Sequence, residues 1–408
     1  MTYRDAADEH GLALDALLAS REMILVAGSG GVGKTTVAAA LAASAATHLG
    51  GRVLVITVDP ARRLADALGI GALGNTAVRV PDDAFVDADI EPRGELWAAM
   101  LDTKAGWDEL IRRHAPDAEV RDAVLSNPLY QNITSRFVHS HDYLAMEQLH
   151  ELHGSGEFDL IVVDTPPSRN ALDVLDAPGR MKDFFGSRLL RWLTVPYRSR
   201  LFTAASKPFY QVADRVLGSR FLQDVAEFFV LFQAMEKGFV RHAEEVEQLL
   251  GDHRTAFVVV STLEAAPTHE AMYLARELSR RDFHLGAMIA NRVMPPEFIA
   301  PAAAASARRL EKAAAGELSG EVAERLDADT DVVQGVLTEI ATRFHDVAVV
   351  ATRESERHAE LAECSPVVLT APALDRDIND VADLLALAEH LRTDHPVTDH
   401  LRRGTGDT

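Results

Sequence analysis

Lys34, Thr35 and Thr36 close the run Gly28-Ser29-Gly30-Gly31-Val32-Gly33, a spacing that suits the grip of a protein on a polyphosphate. Glycines let backbone N–H groups converge on phosphate oxygens where a Cβ would clash. A lysine at the end of such a loop reaches the β- and γ-phosphates, and the hydroxyl of the next residue binds Mg²⁺. The backbone of Gly30, Gly31, Val32 and Gly33, with Lys34, Thr35 and Thr36, is therefore the candidate nucleotide-phosphate site. Lys34 is also the candidate catalytic cation, and Thr35 a candidate magnesium ligand. A glycine-rich turn without a ligand would explain the glycines but not the Lys-Thr pair between a strand and a helix.

Two carboxylates complete this chemistry. Asp164 ends the apolar run Phe158–Asp164 and is the candidate to hold the magnesium shell; the alternative is an aspartate that only caps the following turn. Asp59 ends the run Arg52–Asp59 and is the candidate to orient the attacking water, because phosphoryl transfer depends on positioning and charge stabilisation. An Asp-Pro turn with no catalytic part is the alternative there.

The elements that must position these residues follow from the pattern. Met23–Ala27 reads as a buried strand before the loop, and Val37–Leu49, alanine-rich and free of Pro and Gly, as a helix after it. Leu96–Asp102, Thr255–Ser261, His284–Ala290 and Pro366–Leu369 read as further strands, and residues 70–94 as a loop. Helices are expected over 5–20, over 104–153 with a break at Asn127-Pro128, over His269–Arg281, over 301–363 and over 375–393. Alternating strands and helices predict an α/β fold, a doubly wound and mostly parallel sheet. Residues 1–180 and 251–393 would form its two parts, separated by a helical insertion at 181–250 and followed by a flexible tail at 394–408.

Composition bounds the partners. The 408 residues are 47% hydrophobic and 25% charged, as in globular proteins, with a net charge of −21. That charge opposes a nucleic-acid partner held by general electrostatics and an anionic membrane surface. The first residues carry no apolar h-region, and no run of about 18 apolar residues occurs. Cys364 is the single cysteine, so neither an internal disulfide nor a Cys-x-x-Cys metal site is available. A cytoplasmic protein is expected.

Taken together, Gly-Gly-Val-Gly-Lys-Thr-Thr at 30–36, Thr57-Val58-Asp59-Pro60-Ala61, Asp164-Thr165-Pro166-Pro167, Ala290-Asn291-Arg292-Val293 and Thr370-Ala371-Pro372 resemble the family of the arsenite-pump ATPase and the ATPase that targets tail-anchored membrane proteins. Among its branches the sequence is most similar to the actinobacterial anion-transporting ATPases. The resemblance implies ATP and Mg²⁺ as ligands, a dimer, the catalytic role on Asp59, the magnesium role on Asp164, an adenine contact on Asn291 and proximity of Pro372 to the base.

Three features depart from the family. Its loop begins Gly-Lys-Gly-Gly, and that signature lysine reaches the partner's nucleotide; Ser29 stands there in this chain. A cation supplied in trans can be worth about 10³–10⁵ in rate, so a homodimer lacks this help on both sides, and a heterodimer with a lysine-bearing paralogue would activate only this chain's site. Arg62, Arg63 or Arg169 could supply charge instead, or serve in surface ion pairs. Second, a lone cysteine cannot rebuild an arsenite site or a zinc-closed dimer. His139 with His141, and His150 with His153, have metal-compatible spacing but read as surface histidines. Third, the 181–250 insertion, from Phe184 to Phe239, carries close to half of the aromatics. The resemblance implies a groove for a client's apolar helix of roughly 20 residues, whereas packing of a helical subdomain or interface would use the same residues. With only Met181 and Met235, the stretch is poor in the flexible methionines of adaptable grooves.

The reading is an ATPase whose nucleotide-gated dimer handles a hydrophobic client or a membrane transport partner. The alternative is a nucleotide-binding regulatory subunit with weak hydrolysis, paired with a signature-lysine paralogue. A cell-positioning or partition ATPase fits less well, because the last helix has no basic amphipathic face.

Overall fold

A computed structural model describes residues 14–57, 63–71, 73–101, 103–133, 140–165, 176, 179–180, 182–183, 227–231, 233–374 and 377–392. Its frame is one sheet of eight strands, β1 Met23–Ala27, β2 Arg52–Thr57, β3 Val78–Arg79, β4 Glu95–Met100, β5 Leu160–Asp164, β6 Thr255–Ser261, β7 Leu285–Val293 and β8 Val368–Pro372. They lie in the order β3-β4-β2-β5-β1-β6-β7-β8. Every pairing is parallel except β3 with β4, so the expected doubly wound α/β sheet forms. Strands β1, β5 and β6 are buried along their whole length, which is why they read as continuous Val/Ile/Leu runs rather than as alternating patterns.

Helices cover both faces. Helix α1, Lys34–His48, is buried on nearly all sides, its alanines allowing close approach to the sheet. With α12, Val381–Arg392, it fills one layer, where Leu41, Ala42, Leu384 and Leu387 meet Ile24, Val26, Val55 and Val162. The opposite layer comes from α6 Ser140–Ser155, α7 Glu236–Gly251 and α8 Ala265–Arg280, whose Met146, Leu149, Val246, Leu250, Leu274 and Leu278 pack on Leu25, Ile56, Val163 and Phe257.

A third cluster involves helices alone. Trp107, Leu110 and Ile111 of α3, Thr103–His114, join Val124 of α4, Ala118–Ser126, and Tyr130 of α5, Pro128–Ile133. Leu144, Phe228 and Phe239 close it. Asn127 separates α4 from α5, and its side-chain oxygen accepts from the Tyr130 N–H at 3.3 Å. Of the insertion's aromatics, Phe228 and Phe239 are buried here and Phe229 half-buried; those from Phe184 to Phe221, and Phe232, lie outside the described residues.

Several expectations are corrected, among them the helix expected over His269–Arg281, which starts at Ala265, and the strand expected over Leu96–Asp102, which runs from Glu95 to Met100. Residues 70–94 are not all loop, since β3 and a 3-10 turn, Asp82–Ala88, occur there. Strand β3 is two residues long and exposed on both, too short for any periodicity to register; Arg79 anchors it through ion pairs to Glu95 and Asp82. Strand β7 runs past Ala290 to Val293, and β8 runs to Pro372 rather than ending at Leu369, because the two continue to pair beyond a shift in register between Ala290 and Val293. The final helix starts at Val381, not near 375. The 301–363 stretch forms α9 Pro301–Ala314, α10 Glu317–Leu326 and the 33-residue α11, Thr330–Ala362, with α2, Arg63–Ala67, completing the numbered helices. Asp329 caps α11 by accepting from Asp331 N and Val332 N.

Candidate active site

The C-terminal ends of β1, β2, β5, β7 and β8 converge, which is where open parallel sheets bind ligands. Strand β1 runs into the glycine loop, and the loop into α1. Gly33 stands before α1 with φ 96°, in the left-handed region. Among the described residues no side chain caps this helix, and its first turn holds no acidic residue, so its N-terminal N–H groups and dipole are directed at whatever sits before the loop. A Cβ on Gly28 (φ 152°) would stand 2.1 Å from Val260 O; close passage over β6 demands glycine there. The Lys34 ammonium is buried and donates to Ser29 O at 2.9 Å, so the lysine spans the loop from its helix end to its strand end.

Asp164 is 1% exposed. Register sets it beside Thr57 of β2 and Val26 of β1. Its Oδ2 accepts from Thr35 Oγ1 at 2.7 Å and from Thr57 Oγ1 at 2.9 Å. Thr165 Oγ1 donates to Val26 O at 2.9 Å and fixes the exit from β5. One carboxylate thus ties the tips of two strands to the first turn of α1. A carboxylate beside a threonine hydroxyl is the hard oxygen set that Mg²⁺ prefers, so these residues fit that ion. Thr57 is the partner that sequence reasoning missed. Its only signal was its place two residues before Asp59; its alignment with Asp164 is a matter of register.

Asn291 is brought to the loop by the irregularity in β7. Arg292 takes φ 60°, and such a bulge re-aims neighbouring side chains. Asn291 becomes buried, donates from Nδ2 to Val32 O at 2.8 Å and accepts at Oδ1 from Arg292 N at 3.0 Å. The exposed Arg292 side chain brings Nη1 to 3.5 Å from Gly31 O, a basic group at the loop with no role in the sequence reading. A cleft of about 650 Å³ is lined by Gly33, Thr35, Thr36, Asp66, Asn291, Arg292, Pro372, Leu374, Asp377 and Asn379. Ligand pockets commonly measure about 300–1,000 Å³, and this cleft falls within that range. The structure therefore gathers Gly30 to Thr36, Asp164, Asn291 and Pro372 in one region. Asp59, Arg62 and Arg169 lie outside the described residues, as does the side chain of Arg63, and so do His139 and the side chain of His141.

Comparisons with known proteins agree on one group. A family model described as anion-transporting ATPase matches residues 21–357. The ATPase GET3 of Malassezia globosa is 26% identical over 277 residues, covering 68% of this chain and 74% of that protein. The ATPase ASNA1 homolog of Trypanosoma cruzi is 27% identical over 302 residues, 69% of this chain and 76% of that protein. An uncharacterized protein of Streptomyces coelicolor is 27% identical over 275 residues, 67% of this chain and 63% of that protein.

Proposed function

The chain belongs to the anion-transporting ATPase family and is an ATP hydrolase, and on that premise we propose that it cleaves ATP at the loop ending in Lys34 and uses the cycle to change its assembly with a partner. The observation that carries the site assignment is the contact of Thr35 and Asp164, 2.7 Å apart, at the uncapped start of α1.

In this reading the N–H groups of Gly30 to Thr36 and the Lys34 ammonium hold the phosphates. Thr35 and Asp164 would hold Mg²⁺, which neutralises charge on the β- and γ-oxygens when bound. The base and ribose occupy the cleft between Asn291, Arg292 and Pro372, and Asp59 positions the attacking water. Water adds to the γ-phosphorus, the bond to the bridging oxygen breaks, and ADP and phosphate leave. Thr57 holds the Asp164 carboxylate, so the β2 tip that leads to Asp59 and the β5 tip are linked through one side chain. Loss of the γ-phosphate then relaxes both loops together.

The dimer and the hydrophobic client rest on the resemblance to tail-anchored targeting ATPases. A row of apolar side chains on α11, Val332, Val336 and Ile340, stands exposed, and such patches favour a protein partner. Ser29 in the signature-lysine position favours a second reading, a regulatory subunit that hydrolyses slowly and assembles with a lysine-bearing paralogue. Phosphate release by the chain alone and mixed with such a paralogue separates the two. Turnover alone supports the first, stimulation only on mixing supports the second, and failure of Lys34→Ala to reduce turnover refutes the site itself.

A further inference from the structure

Away from the nucleotide site, three helices bring histidines and carboxylates together. His114 ends α3, Glu147 and His150 belong to α6, and His242 and Glu245 to α7. Glu147 is 2% exposed and His114 8%. His114 Nε2 lies 3.2 Å from Glu147 Oε1, and His242 Nδ1 lies 2.7 Å from the same oxygen. One ligand atom from each of the three residues falls within 4.8 Å of the other two. We propose that His114, Glu147 and His242 form a site for one divalent transition-metal ion, with Zn²⁺ as the ion it fits, that fastens α3, α6 and α7 to one another.

The geometry is that of ligands around a shared ion. Two donors about 2.05 Å from a tetrahedral zinc stand about 3.3 Å apart. The 3.2 Å separation matches this, and the 2.7 Å one requires a small outward shift. His242 Nδ1 is buried and, despite that distance, makes no hydrogen bond among the described residues. Ligands of one ion behave so, because each aims its lone pair at the ion and not at the other donor. Two imidazoles and one carboxylate, with water as the fourth ligand, form a known zinc set, and an N₂O set suits zinc better than magnesium or calcium.

The group behind His242 points the same way. Glu245 Oε2 faces His242 Nε2 at 3.6 Å, where a small rotation would let it take that N–H and orient the ring, as carboxylates behind metal-bound histidines do. The histidine spacings weighed from the sequence were other pairs. His114, Glu147 and His242 are far apart in sequence, and only the helix packing joins them.

The test is a calorimetric titration of ZnCl₂ into the full, tag-free, chelator-treated chain. One equivalent is expected to bind, with affinity reduced at least about tenfold in His242→Ala and in Glu147→Gln and unchanged in His153→Ala, whose histidine pairs with Glu22 at the surface. A variant that fails to fold is replaced by a wild-type measurement: Co²⁺ should give a visible absorption band of a low-coordinate nitrogen–oxygen site that Zn²⁺ abolishes. Absence of stoichiometric Zn²⁺ binding, absence of that band, or binding indifferent to both cluster substitutions overturns the site.

Discussion

Replacing Thr57 by valine tests the link between the two carboxylate-tipped strands. The side chain is 1% exposed, and its hydroxyl donates to Asp164 Oδ2 at 2.9 Å. Valine keeps the shape and removes only the donor. A hydrogen bond to a charged group contributes about 1.5–3 kcal/mol, and a buried acceptor deprived of it bears the desolvation cost. Burying a methyl in place of the hydroxyl returns less than about 1 kcal/mol. Thr57→Val should therefore lose about 1–2.5 kcal/mol in urea unfolding at neutral pH. Thr57→Ser keeps the donor and should lose no more than about 1 kcal/mol, the value of the missing methyl. In initial-rate assays the valine variant should need several-fold more Mg²⁺ for half-maximal hydrolysis, because Asp164 is then held by Thr35 alone of this pair. If valine matches the native chain in stability and in magnesium dependence, or if serine is as damaging as valine, Thr57 does not hold Asp164 and the coupling of the strand tips is refuted.

Gly33→Ala would place a Cβ 2.3 Å from Asn291 Nδ2 at φ 96°. Strain of about 1–2 kcal/mol plus a lost hydrogen bond of about 1 kcal/mol should lower stability by about 2–3 kcal/mol, and adding Asn291→Ala should relieve the clash but not the backbone strain; urea titration of the pair reads this. Phe239→Ala, at the centre of the all-helical cluster, should cost about 3–5 kcal/mol, seen as a lower unfolding midpoint. Glu354 accepts from Met294 N at 2.8 Å, and burial raises its pKa above the usual 4.5 despite that bond. The folded state then holds the proton more tightly than the unfolded chain, so stability falls as pH rises from near 4.5 through the folded pKa. Glu354→Gln should match the native chain at acid pH and exceed it at pH 8, and equal stability at both would contradict the burial argument.

The sheet was legible because β1, β5 and β6 are short apolar runs ended by loop residues, and the phosphate loop because its glycines, lysine and threonines lie together in sequence. What remained illegible depends on register or on distant partners. Strand β3 is two residues long and held by Arg79 ion pairs, so no pattern announces it. The extension of β7 depends on a bulge at Arg292 and on pairing with β8, and this bulge turns Asn291 toward Val32. Thr57 is placed beside Asp164 by strand order, which crosses more than a hundred residues of sequence. The cluster of His114, Glu147 and His242 has no spacing signal, since each residue comes from a different helix.

The most direct measurement is calorimetric binding of ATP, with and without Mg²⁺, to the native chain and to Lys34→Ala. The account predicts magnesium-dependent binding of one ATP per chain by the native protein and loss of that binding in the variant. Binding by the native protein that ignores magnesium, or that survives unchanged without the Lys34 ammonium, would contradict it.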